Sequence, residues 1–256
     1  MISLFSVHSL SQTQLLSIKL INRFSIDADS FVGTDNLGYY YYIKNNVFFK
    51  KKNNEIMQYQ NVSLGELTKV DLINPLKIVL FYENFNKVIL LDNQLNEITT
   101  IDFSLSDDPM VIHNVGMSGQ NSLWVFNVLN QQIGLYNYEV RKNVRLNQPI
   151  KSTFLSYQTD FNSMVWIDER YIISKIDVFG KIEVLDTLAE FDNFQFITRL
   201  GVVLTKNGKL FYKKIAEAPY IEIEINVKSI KNFAYKDKIL TIFTGEEIIN
   251  YNLNLP

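Results

Sequence analysis

The side chains that most often carry chemistry are scarce in this chain of 256 residues. There is no cysteine, which excludes disulfides, thiolate nucleophiles and Cys-ligated zinc or iron–sulfur sites, and the only imidazoles are His8 and His113. No glycine-rich phosphate loop, GxSxG elbow or HExxH pair occurs. Gly116-Met117-Ser118-Gly119 has the outline of a nucleophile turn without its spacing, and it reads as a hairpin loop. Asp107-Asp108-Pro109 and Glu246-Glu247 are adjacent carboxylates, whereas a glycosidase needs two carboxyls facing each other across a cleft. Asp92-Asn93 offers one carboxylate where a calcium loop alternates several. All three read as solvated turns. His113 follows Met110-Val111-Ile112 and stands where it can line a central channel, with a hydrogen-bonded packing role as its plainer reading.

Two basic clusters, Lys44 with Lys50-Lys51-Lys52 and Arg141 with Lys142 and Arg145, read as solvated loops, with contact to phosphate or an acidic partner as the functional alternative. A formal net charge of −2 removes the electrostatic footprint of a nucleic-acid binder. Trp124 and Trp166 are assigned to the core, and either would anchor a partner if exposed. The sequence thus assigns no catalytic, cofactor-binding or metal-ligating residue, and no cofactor.

The elements that must position these groups are strands. Hydrophobic residues make up 47% of the chain, with 18 Phe and 14 Tyr, and no apolar run reaches the 18 residues of a membrane-spanning helix. Apolar runs of about five to seven residues alternate with polar turns, and no 3.6-residue pattern persists for three turns. With only 10 Gly and 5 Pro, asparagine takes over turn positions at Asn45-Asn46, Asn53-Asn54, Asn84, Asn86, Asn93 and Asn207. The chain is all-β.

One hairpin recurs six times: GYYYYIKNNVFFKK from Gly38, KIVLFYENFNKVILLD from Lys77, SLWVFNVLNQQIGLYNY from Ser122, YIISKIDVFGKIEVLD from Tyr171, GVVLTKNGKLFYKK from Gly201 and KILTIFTGEEIINYN from Lys238. A short apolar stretch precedes each copy and another follows most of them. Four strands at a period of about 40 residues predict a propeller blade, with a β-sandwich or barrel as the alternative. The interval from the third copy to the fourth is long, which predicts an irregular blade around Glu139 to Phe161. Alternation along Tyr39 to Tyr42 places two rings on each face of a sheet, with hydroxyls at the rim. The sixth copy lacks a fourth strand, and Leu15 to Ile26 is a strand left over, so the N-terminal strand is expected to close the last blade and remove an open edge.

These six hairpins and the split final blade cover nearly the whole chain and resemble a small six-bladed propeller. The Gly-His and Trp-Asp signatures of WD40 repeats and the kelch double glycines are missing. The Asn/Ile/Lys/Tyr/Phe-rich composition, with an apparent signal remnant, is similar to small exported propellers of Bacteroidota-type bacteria. Residues 1–14 read as a signal-peptide remnant or a disordered N-terminus, and 15–256 as one propeller domain. The resemblance implies a periplasmic or outer-membrane-associated protein, with a cytoplasmic location left open. It also implies a non-enzymatic scaffold with protein partners in an envelope assembly such as a secretion complex. A propeller binding a small glycan or peptide is the alternative, followed by a propeller hydrolase or lyase using carboxylates, tyrosines or His113 around the channel, for which His113→Ala and Asp168→Asn are the test substitutions.

Overall fold

The computed structural model describes residues 15–256 apart from 106, 107, 120, 198–200 and 218. The segment expected to be a signal remnant, with His8, therefore lies outside the described residues, as does Asp107.

Six sheets, each with four antiparallel strands, stand around a central axis; in five of them the strands follow chain order from the axis outward, and in the sixth the N-terminal strand Lys19–Ser25 is outermost. The inner strands are Ser30–Thr34, Lys69–Asp71, Ile112–Met117, Phe154–Thr159, Asn193–Ile197 and Asn232–Lys236. We number the blades one to six in that order. Separate sheets in a ring, rather than two facing sheets or one closed sheet, exclude the sandwich and the barrel. Both faces of every blade are covered by its neighbours, which is why middle strands such as Ile78–Tyr82 read as continuous apolar runs and are buried throughout. The core is six buried clusters, one at each junction between blades.

Each second strand begins at Tyr40, Ile78, Ser122, Ser163, Gly201 or Ile239, intervals of 38 to 44 residues. The fourth blade is thus regular. The hairpin from Tyr171 is its third and fourth strands, and the apolar stretch that precedes that copy, Met164-Val165-Trp166, which the repeat assigns to a first strand, lies in the second, Ser163–Asp168. The misreading has a physical cause: the true inner strand, Phe154–Thr159, is FLSYQT, whose polar half hides it from an apolar-run criterion.

Turn chemistry is encoded twice. Asn45, Asn46, Asn53, Asn86 and Asn207 adopt the left-handed conformation expected of them. An aspartate turn, unnoticed in the sequence, recurs at Asp35, Asp92, Asp168 and Asp177. In each, one carboxylate oxygen accepts the backbone N–H groups two and four residues ahead. The residue three ahead (Gly38, Leu95, Tyr171 or Gly180) takes a positive φ. Asp92 is therefore a turn-former, as expected, with its second oxygen bound by the Asn96 side chain.

The N-terminal strand closes the ring as predicted, and does more. Lys19–Ser25 pairs antiparallel with Glu247–Asn252 as the outer strand of blade six, while Leu15–Leu16 first pairs in parallel with Ile221–Ile223 of blade five. The Asn250 side chain seals the seam by donating to Asn22 Oδ1 at 2.7 Å and to the Tyr40 hydroxyl at 2.8 Å.

Candidate functional site

Inner strands of a propeller leave one edge of backbone N–H and C=O groups unpaired, facing the next blade and the axis. In this chain side chains from neighbouring blades bind that edge. Gln158 of blade four donates to the Phe196 carbonyl (3.0 Å) and accepts its N–H (3.1 Å). Gln195 of blade five does the same to Tyr235 of blade six, at 2.9 and 2.6 Å. The Tyr157 hydroxyl bridges the N–H and carbonyl of Val115 in blade three, and the Asn232 amide reaches the Phe31 carbonyl of blade one at 2.8 Å. Asp71 of blade two accepts the Met117 N–H of blade three at 2.8 Å and the Thr159 hydroxyl of blade four at 2.9 Å. Gly116 makes that last meeting possible. A Cβ there would lie 2.0 Å from Thr159 Oγ1 and 2.8 Å from Asp71 Oδ2. Gly116 and Met117 thus belong to an inner strand, and only the remainder of the Gly116–Gly119 segment is hairpin loop.

Inside this belt the axis holds two adjoining cavities of about 210 and 190 Å³ that share Lys69, Ser156 and Tyr157 in their walls. Lys69 projects into them with its ammonium 4.8 Å from the Tyr157 ring centre. Solvent reaches it along the channel, yet protein crowds it, and this desolvation holds its pKa below the usual lysine range against the pull of Asp71. Burial likewise pushes the Asp71 carboxyl up, against the stabilising bonds from Ile73, Met117 and Thr159. It also pushes the Tyr157 phenol up, with its hydroxyl held by Val115. His113 stands at the channel mouth with Nδ1 2.5 Å from Glu83 Oε1, so it is channel-lining and hydrogen-bonded at once. Sequence reasoning singled out His113 but missed Lys69, Asp71 and Tyr157; polar residues in an inner strand that should pack on both faces were the available signal.

The other predicted positions resolve plainly. Trp124 and Trp166 are buried at the junction of blades three and four. Tyr39 and Tyr41 pack toward blade two, and Tyr40 and Tyr42 toward blade six, although the Tyr41 hydroxyl is buried on Asp35 rather than at the rim. The first basic cluster is not a solvated loop. Lys50 is 3% exposed, donates to the Asn93 carbonyl at 2.6 Å and lies 4.2 Å from the Tyr39 ring centre. Lys52 binds the Leu37 carbonyl and Lys44 pairs with Asp27. In the second cluster Arg145 pairs with Asp108 while Arg141 and Lys142 stay exposed. Glu246 and Glu247 sit side by side at a turn, and Glu247 lies 3.6 Å from Arg23. Asp168 forms its turn and binds Arg170, far from a cleft of paired carboxylates. Among the described residues no cluster of three metal-ligating side chains occurs.

A second region lies where each second strand turns into its third and each outer strand crosses to the next blade, called here the upper end. At this end the connections on blades one to three and the start of the blade-four inner strand expose Val62, Phe85, Leu105, Val111, Leu129 and Leu155, with Leu105 and Leu129 76% and 67% exposed. The corresponding connections of blades five and six expose no large apolar side chain among the described residues. The patch is rigid. Asn86 binds the Ile112 N–H, the Met110 carbonyl and Ser104, and the Val128 N–H donates to the Val111 carbonyl. At the lower end Phe161 and Phe179 stand beside residues lining a cavity of about 500 Å³ between blades four and five.

No protein-family model matches the chain, and no curated protein matches it in sequence. Solved structures do match. The β-propeller domain of Cps50 (Swd1) from Myceliophteria thermophila superposes with a TM-score of 0.63 at 9% identity, over 93% of this chain and 100% of that one. BBS1N, solved in complex with ARL6DN, gives 0.62 at 10% identity, over 93% and 97%. Virginiamycin B lyase from Staphylococcus aureus gives 0.59 at 13% identity, over 95% and 97%. The likeness is one of fold. Propellers of this build include both subunits of complexes and an enzyme, so fold alone does not choose between those roles. No helix among the described residues is long and apolar enough to cross a membrane.

Proposed function

We propose that this propeller is a non-enzymatic protein-interaction subunit that docks a protein partner on the upper end of blades one to four. The observation that carries the reading is the concentration of exposed large apolar side chains on those connections, against none on the same connections of blades five and six among the described residues. Large apolar side chains gathered in water at one end are costly in a solitary protein and are typical of a docking face. The connections that carry them are tied by backbone and asparagine bonds, so less backbone has to be ordered on binding. Solved propellers of similar fold include one in complex with a protein, BBS1N with ARL6DN, which supports the reading by analogy. The finer proposal, resting on the compositional resemblance, is that the chain is exported and serves as an accessory subunit of a bacterial envelope assembly such as a protein secretion complex.

The test is gentle purification of a tagged copy at native expression level from detergent-solubilised envelope, with mass spectrometry of what accompanies it. A stoichiometric set of envelope proteins, lost when Leu105→Asp and Leu129→Asp are combined, is the expected result. Hot-spot residues of an interface are worth about 2 kcal/mol or more each, so the pair should weaken capture by at least ~100-fold. A protein that elutes alone from the soluble fraction overturns the reading.

A further inference from the structure

We propose that the upper half of the central channel is a binding site for a small hydroxy-carboxylate, whose anionic group is held by Lys69 and whose hydroxyl is received by Asn114. The inference goes beyond the docking role, since it concerns the channel and a free small molecule.

Two polar groups in the channel wall lack partners, and they are of opposite kind. Among the described residues no acceptor lies within hydrogen-bonding or ion-pairing distance of the Lys69 ammonium, whose sole ring contact is Tyr157. The side-chain oxygen of Asn114, a residue 4% exposed, is buried without a donor. Both residues line the same cavity, together with Ser156 and Tyr157 of blade four. A buried acceptor left unpaired costs free energy that a ligand can return, and an ammonium without a counter-ion at the cavity wall is free to meet that ligand's charge. The complementary molecule presents oxyanions to the lysine and an O–H to the amide oxygen.

The neighbouring charges are already committed. Asp71 accepts from Ile73, Met117 and Thr159, and Glu83 is bound to His113 at the mouth. The Tyr157 hydroxyl is engaged at both its donor and acceptor sides by Val115. These four, Asp71, Glu83, His113 and Tyr157, are the ionisable groups that share the two cavities with Lys69. Cavities of about 190 and 210 Å³ hold roughly six or seven water volumes each at ~30 Å³ per water, the size of a two- to four-carbon acid. Crowding lowers the lysine pKa, so an anion beside it raises that pKa again, and binding must fade as pH rises through the lysine's own titration.

The probes are glycolate and lactate, with acetate and propionate as partners lacking the hydroxyl, titrated calorimetrically into the intact chain at pH 7. Both hydroxy acids should bind, at least about tenfold tighter than the acids without the hydroxyl. Lys69→Met should abolish binding of all four, and Asn114→Ala should reduce glycolate and lactate to the affinity of acetate and propionate. Thermal melts must show both variants folded. Lys69→Arg, which keeps the cation, should retain binding and thereby separates lost charge from lost fold. The proposal is overturned if none of the acids binds, if Lys69→Met binds as the parent does, or if the hydroxyl confers no preference. A carboxylate on the C-terminus of a docked protein shares this chemistry. If a short peptide acid binds at Lys69 and the free hydroxy acids do not, the small-molecule proposal falls while the docking role stands.

Discussion

The inner ring and the upper connections of blades one to four are made from the same repeat yet solve opposite problems. In the ring, Gln158, Gln195, Tyr157, Asn232 and Asp71 bind the free edges of the neighbouring inner strands, so little is left for another chain to pair with. Blades one and two meet at the ring through apolar contact instead, with Leu72 against Gly33. In the upper connections, residues such as Leu105 and Leu129 are held in place by backbone and asparagine bonds while their side chains stay in water. The difference teaches that stability and recognition are separated in this molecule. Substitutions in the ring should be felt in folding, and substitutions in the connections should be felt in binding.

The largest effect that would sharpen this contrast is at Gly116. Its φ is not in the left-handed region, so alanine there would ordinarily stabilise slightly by restricting the unfolded chain. The 2.0 Å approach to Thr159 Oγ1 reverses that sign, and Gly116→Ala should cost about 1–3 kcal/mol in denaturant unfolding. Adding Thr159→Ala should recover part of the loss, because the two sites couple directly. If the single variant melts like the parent, the ring is looser than described. Next comes Gln158→Met, which keeps the volume and removes both edge bonds to Phe196. A cost of about 1–2 kcal/mol is expected, with faster amide exchange at Phe196 as the local readout.

Acid unfolding probes the junction of blades four and five. Burial raises the Asp186 carboxyl, but its bonds with Lys213, Ala216 and Thr187 outweigh that and leave its pKa below the ordinary value. Its stabilising contribution is therefore present above the unfolded pKa of ~3.9 and is lost as pH falls through the lower folded value. Lys213→Met should flatten stability against pH in that acid window, by an amount on the order of 1 kcal/mol. The smallest effect is the most telling for the contrast. Leu129→Asp should change unfolding free energy by no more than about 0.5 kcal/mol, as a solvated position does. A larger loss would move Leu129 from the recognition side of the comparison to the structural side.

The ring of six was legible because a hairpin repeated near every 40 residues and because the N-terminal segment supplied the strand that the last copy lacked. Register was legible where a second strand is wholly apolar, as in Ile78–Tyr82, and misread where an inner strand is half polar, as in Phe154–Thr159. The same polar half carries Tyr157, Gln158 and Thr159, so the residues that blurred the repeat are the ones that tie the ring. The candidate site was far less legible. Lys69 is one lysine among many in the sequence, and only the meeting of blades two, three and four gives it Tyr157 and Asn114 as surroundings. Lys50 shows the converse, a member of an apparently solvated cluster that packs in the junction against Tyr39.

The seam between Lys19–Ser25 and Glu247–Asn252 sets a timetable for biosynthesis. The two sides of the Asn22–Asn250 contact are 228 residues apart, so at ~5–20 residues per second the first waits on the order of 10 to 45 s for the second to be made. During that interval five blades can assemble while Lys19–Ser25 and the unfinished edge of blade six remain open to other chains. A cell that makes this protein must keep those edges apart from strangers until the last strand arrives, and slowing translation near residue 240 should raise aggregation without changing the finished molecule.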